Sequence, residues 1–340
     1  MEMGQVDVSI ILLTYNGIRY IDEVLRAIYR QQTSFPFEVI AIDSGSSDGT
    51  VDVLMSYPVR FYPIDKKQFG HGKTRNYGAE LSRGQYLVFL TQDATPADEF
   101  WLEEMIRGFS LDPRVGCVFG KQIARPECDP FTRRDLMLHF EMFSKSDEPL
   151  VQYVEDTPEG RALYHQNPLW YGFNSNVNSA LRKEAWAAIR FRDVIYTEDQ
   201  VMGRDIIVNG WKKVYMPKAA VIHSHSYSSF FRYFQRFFDE LRGMHMAFGY
   251  TEDVSLATLI PACYRIARAE AQFIFSETDY RRHEKCYWVY FRWRWHIARR
   301  LGAYFGCRHD KLPHFLRRFF SLEKNPGPTM NACSKNEVDR

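Results

Sequence analysis

The side chains with chemistry to offer are carboxylates, and they stand at three places. Asp43 and Asp48 lie in Asp43-Ser-Gly-Ser-Ser-Asp-Gly-Thr50, Asp93 ends Tyr86-Leu-Val-Phe-Leu-Thr-Gln-Asp93, and Glu198-Asp199 opens a run that reaches Asp205. A carboxylate just past a strand can ligate a hard cation, and the cation can bridge phosphate oxygens. Asp43 can accept a hydrogen bond from a base N–H or a sugar hydroxyl, and Lys73 or Arg75 can add positive charge beside a diphosphate. Glu198 and Asp199 fall at the start of a helix expected over 199–209, capped by Thr197 or Glu198. The helix dipole there lowers a carboxylate's pKa, and an ionised carboxylate can take a proton from a hydroxyl. Each residue also has a plainer reading. Asp43, Asp48 and Asp93 suit turns and helix caps, and Glu198-Asp199 suits a capping pair.

The elements that must position these groups follow from the apolar pattern. Val8-Ser-Ile-Ile-Leu-Leu-Thr14 reads as a buried strand, ended by Tyr15-Asn16-Gly17, with a helix over 18–31. Residues 37–42 form a second strand, 51–56 a helix and 59–62 a third strand. Phe69-Gly-His-Gly-Lys-Thr-Arg-Asn76 reads as a loop, 77–82 as a helix, and 86–90 as a fully buried strand. Strand alternating with helix predicts a parallel sheet covered on both faces. Parallel crossovers place the loops that follow the strands along one edge, so 14–17, 43–50 and Asp93 should converge there.

The chain has 340 residues, 45% of them hydrophobic, and a net charge of +2. That length supports one large domain with an appendage, or two domains. The balanced charge gives no general argument for nucleic acid. Six scattered cysteines form no CxxC pair and read as free thiols. The polar start predicts no signal peptide, and no window resembles a membrane span. The expected place is the cytosol, or the cytosolic face of the inner membrane. No GxxxxGK[ST] and no GxGxxG follows a strand, which disfavours a P-loop or a nicotinamide dinucleotide site.

Val8-Ser-Ile-Ile-Leu-Leu-Thr-Tyr-Asn, Val39-Ile-Ala-Ile-Asp-Ser-Gly-Ser-Ser-Asp-Gly-Thr, Thr74-Arg-Asn-Tyr-Gly and Phe89-Leu-Thr-Gln-Asp together resemble the family 2 glycosyltransferases of the GT-A fold. The likeness runs over roughly the first 220 residues, and 69–76 with Thr-Gln-Asp-Ala-Thr-Pro resembles the bacterial rhamnosyltransferase branch. The resemblance implies an α/β fold, Rossmann-like, with a mostly parallel central sheet, helices on both faces and a C-terminal helical region. It implies that Thr14, Tyr15 and Asn16 line the base site, that Asp43 binds the base, and that Asp48 supports the same loop. Lys73, Arg75, Asn76 and Gln92 fall on its donor side. Asp93 matches the last acid of the metal-binding DxD, here with Thr91 at the first position, and the cofactor implied is Mg²⁺ or Mn²⁺. Asp199 would be the catalytic base and Glu198 its neighbour.

In the second half, residues 141–160 read as an acidic loop over the site. Trp170 and Tyr171-Gly-Phe-Asn174-Ser-Asn176-Val-Asn178 can meet the hydroxyls of an acceptor sugar, or can be a polar strand end. Residues 211–225 read as two short strands ending in His223 and His225, which share a face. The resemblance gives a histidine here to the metal, and His223 is the nearer to the strand. From 228 on, aromatics interleave with arginines, a pattern suited to an anionic membrane surface or to a helical bundle. The expected division is a catalytic domain over 1–227, with a nucleotide-sugar half to about 120 and an acceptor half over 121–227. A helical region covers 228–321 and a disordered tail 322–340.

The expected activity is inverting transfer of a sugar, L-rhamnose from dTDP-L-rhamnose, to a glycan or lipid-linked glycan of a bacterial surface polysaccharide of the O-antigen or capsule type. A UDP-hexose donor with the same mechanism is the alternative. A non-catalytic, membrane-associated nucleotide-sugar-binding module is the alternative of another class. No nucleic-acid partner is expected, and oligomeric state is open.

Overall fold

The computed structural model describes residues 6–194, 196–225, 229–277, 279–322 and 324. Contacts divide the chain into two compact units. One holds the described residues of 1–127, 135–193 and 198–224, and the other those of 128–134, 194–197 and 225–340.

The first half of the first unit runs β1 (Val8–Thr14), α1 (Ile21–Tyr29), β2 (Phe37–Asp43), α2 (Thr50–Met55), β3 (Arg60–Pro63), α3 (His71–Leu81), β4 (Tyr86–Thr91), β5 (Thr95–Pro96) and α4 (Trp101–Arg107). After it come β6 (Val115–Ile123), α5 (Pro130–Glu141), β7 (Leu150–Gln152), α6 (Pro158–Gln166), α7 (Pro168–Gly172), β8 (Asn178–Arg182), α8 (Lys183–Ile189), α9 (Glu198–Val208) and β9 (Lys212–Ile222). The strand order is β3-β2-β1-β4-β8-β6-β9-β5, with β7 added beside β9. β1, β2, β3 and β4 are parallel, β8 runs antiparallel to β4 and β6, and β6 is parallel to β9.

The apolar runs of β1 and β4 are buried on both faces, as their lack of polar alternation requires. Ile10, Leu12, Val88 and Leu90 pack with Val24, Leu25, Trp101 and Leu102 of α1 and α4. Ile11, Leu87 and Phe89 point the other way, onto Ala79, Ala185, Met202 and Ile206 of α3, α8 and α9. The register sets Thr14 beside Asp43 and Leu13 beside Thr91. The ends of β1, β2 and β4 therefore share one edge, which places their loops together.

Three expectations need correction. Residues 71–76 are not loop but the first turns of α3. Glycine disfavours helix, which hides it in the sequence. Gly72 and Gly78 are needed because a Cβ would meet the Arg192 carbonyl oxygen at 2.3 Å and Ile11 at 2.5 Å. Residues 212–222 are one strand, not two. The acidic segment 141–160 is not an unstructured loop, since β7 pairs with β9 and α6 begins at Pro158 with Thr157 as its cap.

The second unit contains α10 (Phe230–Phe248), α11 (Leu259–Ser276), α12 (Arg282–Gly306) and α13 (His314–Phe320). Its aromatics pack helix on helix, with ring centroids 5.0 Å apart for Phe237–Trp295 and 5.9 Å for Tyr233–Phe291. Gly302 permits the close crossing, since a Cβ there would meet that of Phe237 at 2.6 Å. Glu270 accepts from Arg292 at 2.7 and 3.0 Å and contacts His296 at 2.8 Å. Burial alone would raise the Glu270 pKa, but those two partners outweigh it and hold it at about 2. Part of the arginine–aromatic pattern thus serves bundle packing. Among the described residues no helix is long and apolar enough to cross a membrane. Of the expected tail, Glu323 and 325–340 lie outside the described residues.

Candidate active site

The edge formed by β1, β2 and β4 is built from short polar loops tied to one another. Asp43, at the end of β2, accepts from Thr14 Oγ1 at 2.8 Å and Ser46 Oγ at 2.6 Å. It also accepts from the Gly45 and Ser46 N–H groups at 2.9 and 2.8 Å. With both oxygens engaged and 2% of the residue exposed, Asp43 shapes the loop. Asn16 takes the left-handed conformation (φ 47°), which Asn tolerates better than most residues. Its Oδ1 accepts from Ser47 N–H at 2.9 Å. Asp48 accepts from Ile18 N–H at 3.1 Å and Thr50 Oγ1 at 2.5 Å. The Thr50 hydroxyl, chief of these donors, holds the Asp48 carboxyl below its usual range.

Gln92 closes this edge from the β4 side. Its amide oxygen accepts from Tyr15 N–H at 2.9 Å and its amide nitrogen donates to Tyr15 O at 3.0 Å. The Tyr15 hydroxyl takes a hydrogen bond from Lys66 at 2.6 Å, and that ammonium lies 4.1 Å from the ring centroid. Lys73, expected to add charge, is an exposed residue on the first turn of α3.

Asp93 follows the turn after β4. Asp93 Oδ1 lies 3.6 Å from Nε2 of His223, the first residue past β9. Two sequence positions 130 apart meet because β5, directly after Asp93, pairs with the end of β9 through Thr95 and Ile222. The His223 Nδ1 is 3.1 Å from Gln122 Oε1, and the Gln122 amide nitrogen donates to Ser175 Oγ at 3.0 Å. With the Gln122 oxygen facing Nδ1, that nitrogen can donate to it, which would leave Nε2 able to act as a ligand beside Asp93. A carboxylate oxygen and an oriented imidazole nitrogen are a donor set that fits Mg²⁺ or Mn²⁺.

Arg125, which no local pattern marked, braces this pair. Its guanidinium donates to the Asp93 carbonyl at 2.9 Å, to Thr95 Oγ1 at 3.1 Å and to Glu23 at 3.1 Å. It lies 3.8 Å from the Tyr20 ring centroid, and its backbone N–H donates to Ser224 Oγ at 3.1 Å.

The second cluster gathers around the start of α9. Arg75 donates to Glu198 Oε1 at 2.8 Å, with both side chains 8% exposed. Asn176 contributes its side-chain nitrogen to Glu198 Oε1 at 3.3 Å and its backbone N–H to Asp199 Oδ2 at 3.3 Å. Asp199 Oδ1 also accepts from Gln200 N–H at 2.8 Å. Burial opposes charge on Glu198, but Arg75 and then His71 outweigh it, so the Glu198 pKa is lowered. Asp199 is different. Burial, then the negative charge of Glu198, pushes its pKa up to about 7, against the opposing pull of Arg75. The expected lowering by the helix dipole is overridden at Asp199. Nor does Thr197 cap α9, because its hydroxyl turns back onto the Tyr196 carbonyl at 2.5 Å.

Several of the expected site residues are also bonded within the protein. Asn76 accepts from Trp186 Nε1 at 2.9 Å and Phe191 N–H at 3.0 Å, and donates to Phe191 O at 2.8 Å. Arg75 is paired with Glu198. Asn174 and Asn176 are 1% and 2% exposed, and Asn174 accepts from the Cys117 thiol at 3.5 Å. Trp170 stacks on Phe143 at 4.6 Å, and Tyr171 lends its carbonyl to Lys213 at 2.6 Å. Trp170 and Tyr171 also line a cleft of about 400 Å³ with Tyr153, Glu155 and Glu159. Lys213 is another residue the sequence did not reveal, a buried ammonium whose pKa burial lowers to about 7.

A curled, mixed sheet with a parallel β1–β4 half, an acidic residue after β4 and a carboxylate pair opening α9, defines a glycosyltransferase of the GT-A class. Residues 9–188 match the family described as Glycosyl transferase family 2, and the chain belongs to that family. It is 29% identical over 335 residues to the O-antigen chain rhamnosyltransferase RfbN of Salmonella typhimurium, covering 97% of this chain and 99% of that one. It is 28% identical to the O-antigen chain rhamnosyltransferase WbaN of Salmonella anatum, covering 97% and 98%. The fold is similar to that of the mannosyltransferase PcManGT from Pyrobaculum calidifontis, solved in complex with GDP-Man and Mn²⁺. That likeness has a TM-score of 0.57 at 16% identity and covers 91% of this chain and 89% of that one. The protein is thus an enzyme related to bacterial O-antigen rhamnosyltransferases, and a non-catalytic module is not the reading that holds.

Proposed function

We propose that this enzyme transfers a sugar from a nucleoside-diphosphate donor to a glycan hydroxyl by a single inverting displacement, with Asp199 as the base. The observation that carries the proposal is the asymmetry of the carboxylate pair. Arg75 keeps Glu198 ionised, and Glu198 with burial brings Asp199 close to neutrality, where a general base works best. The acceptor oxygen bonds to the anomeric carbon as its proton passes to Asp199. The bond from that carbon to the donor phosphate oxygen breaks, and the nucleoside diphosphate leaves.

The loops after β1 and β2 would receive the nucleotide, with Tyr15 and Asn16 facing it and Thr14, Asp43 and Asp48 holding their shape. Asp93 and His223 would hold a divalent ion. Such an ion would neutralise charge on the diphosphate. Arg125 and Gln122 would keep its two ligands in place. Trp170 and Tyr171 would serve an acceptor glycan through the cleft that they line.

Two donors fit this chemistry. The names of the two Salmonella relatives support dTDP-L-rhamnose. A UDP-hexose fits equally well, because Thr14, Asp43 and the loop backbone are bonded to one another and set no visible bar to either pyrimidine. The acceptor would be a glycan or lipid-linked glycan, met at the cytosolic face of a membrane.

The test is release of nucleoside diphosphate from a panel of dTDP-, UDP- and GDP-sugars, with a lipid-linked acceptor and with Mg²⁺, Mn²⁺ or EDTA. Asp199→Asn should lower transfer by about 10²- to 10⁴-fold while nucleotide binding holds. Equal rates for the two proteins would overturn the assignment of the base. Turnover confined to dTDP-rhamnose selects the first donor, and turnover with a UDP-sugar selects the second.

A further inference from the structure

Three phenylalanines in the helical unit face water although their surroundings are fixed. Phe231, Phe315 and Phe319 are 39%, 68% and 58% exposed. Phe231 and Phe319 have ring centroids 5.1 Å apart, and Phe315 lies one turn before Phe319 on the same face of α13. The opposite side of α13 is anchored by Phe320, whose ring centroid lies 5.0 Å from that of Phe234, 5.7 Å from Phe238 and 5.3 Å from Phe305. The Phe319 carbonyl accepts from Gln235 at 2.9 Å. Buried Asp239 accepts from Ser321 Oγ at 3.1 Å and Leu322 N–H at 2.7 Å. Both the inner face and the end of α13 are therefore secured, and its apolar outer face is held in the solvent.

Charge identifies the partner. Arg232 and Arg318 are exposed beside these rings in sequence, as is Lys311 just before α13. From residue 225 onward the chain carries 19 lysines and arginines against 12 acids, whereas before it there are 25 against 30. An apolar patch flanked by arginines, on the basic part of a nearly neutral chain, matches a surface that is anionic outside and apolar beneath. No helix among the described residues is long and apolar enough to span that layer, so the contact is with its surface.

We propose that Phe231, Phe315 and Phe319, with Arg232 and Arg318, dock the helical unit onto an anionic lipid surface. The proposal deepens the membrane-face reading given above and rests on it, but not on the sugar-transfer chemistry. The rings enter the headgroup–acyl boundary while the guanidinium groups pair with lipid phosphates.

The test is co-sedimentation of the full chain with phosphatidylcholine vesicles, alone or containing roughly one third phosphatidylglycerol. The expected result is binding at least about tenfold tighter to the anionic vesicles, weakened by salt at about 0.5 M. Phe315→Ser combined with Phe319→Ser should reduce that binding by about tenfold with no change in donor turnover, which separates this outcome from failure of the glycosyltransferase reading. Should that double variant misfold by circular dichroism, Arg232→Glu with Arg318→Glu tests the same patch through its charge. Binding unchanged in these variants, or equal on neutral vesicles, overturns the proposal. So does a patch whose loss shifts only a monomer–dimer equilibrium.

Discussion

Arg75 and Glu198, 123 positions apart, form a buried ion pair at 2.8 Å directly beside Asp199. The pair sets the charge state of the site. With Arg75 present, Glu198 stays ionised and Asp199 takes its proton at about 7. The acidic limb of the pH–rate profile should therefore fall as pH drops below about 7, because protonated Asp199 cannot accept the acceptor's proton. The stability sign is opposite. A raised folded-state pKa means that the folded protein binds this proton more tightly than the unfolded chain. The Asp199 contribution is thus largest below its unfolded pKa and is lost as pH rises through about 7.

Arg75→Met removes the cation from two buried carboxylates. The pair should then bind its first proton more tightly, moving the acidic limb upward by about one pH unit. Leaving Glu198 buried and unpaired should cost about 3–5 kcal/mol. A pH–rate profile together with urea unfolding checks both. An unmoved limb with intact stability would show that the pair does not control the base.

The strands carrying these loops were legible because their runs are apolar on both faces, a pattern that only a covered central strand explains. The contact partners were not. Nothing local in Thr74-Arg75-Asn76 distinguishes an arginine that meets a phosphate from one that meets Glu198, and the choice is made by α3 packing near α9. Nor does the helix dipole set the Asp199 pKa, for a physical reason. Burial and a neighbouring carboxylate act at closer range than the dipole and with opposite sign. Polar amides beside aromatics suit a sugar ligand and an internal brace alike, so the deep burial of Asn174 and Asn176 was not legible from that pattern. The pairing of Asp93 with a histidine was readable only through the family resemblance, and Arg125 had no local signal at all.

Arg125 joins the two strand ends that bear Asp93 and His223. Its side chain holds the Asp93 carbonyl and its backbone holds Ser224, the residue after His223. Outer partners of this kind commonly change metal affinity by about 10- to 100-fold when lost. Arg125→Met should accordingly weaken Mn²⁺ binding by about that factor, measured by electron paramagnetic resonance of free Mn²⁺ without donor present. Turnover at saturating Mn²⁺ should recover in large part, since the proposed base, Asp199, is untouched. Unchanged Mn²⁺ affinity would refute the positioning role.

Gly17 fixes the approach of the β1 loop to Gln92. A Cβ at position 17 would lie 2.3 Å from Gln92 Oε1 and 2.6 Å from its Cδ, so the amide must move. Moving it breaks the two hydrogen bonds that clamp Tyr15, each worth about 0.5–1.5 kcal/mol. Gly17→Ala should thus lower stability by about 1–3 kcal/mol. It should also release Tyr15 at the proposed nucleotide edge, weakening nucleoside-diphosphate binding by about tenfold, as read by calorimetry. Gln92→Ala in the Gly17→Ala background separates clash from clamp. With the amide already gone, the alanine at 17 has nothing to displace, and the two substitutions together should cost little more than Gln92→Ala alone. Full additivity of the two losses would mean that Gly17 serves the loop backbone independently of Gln92.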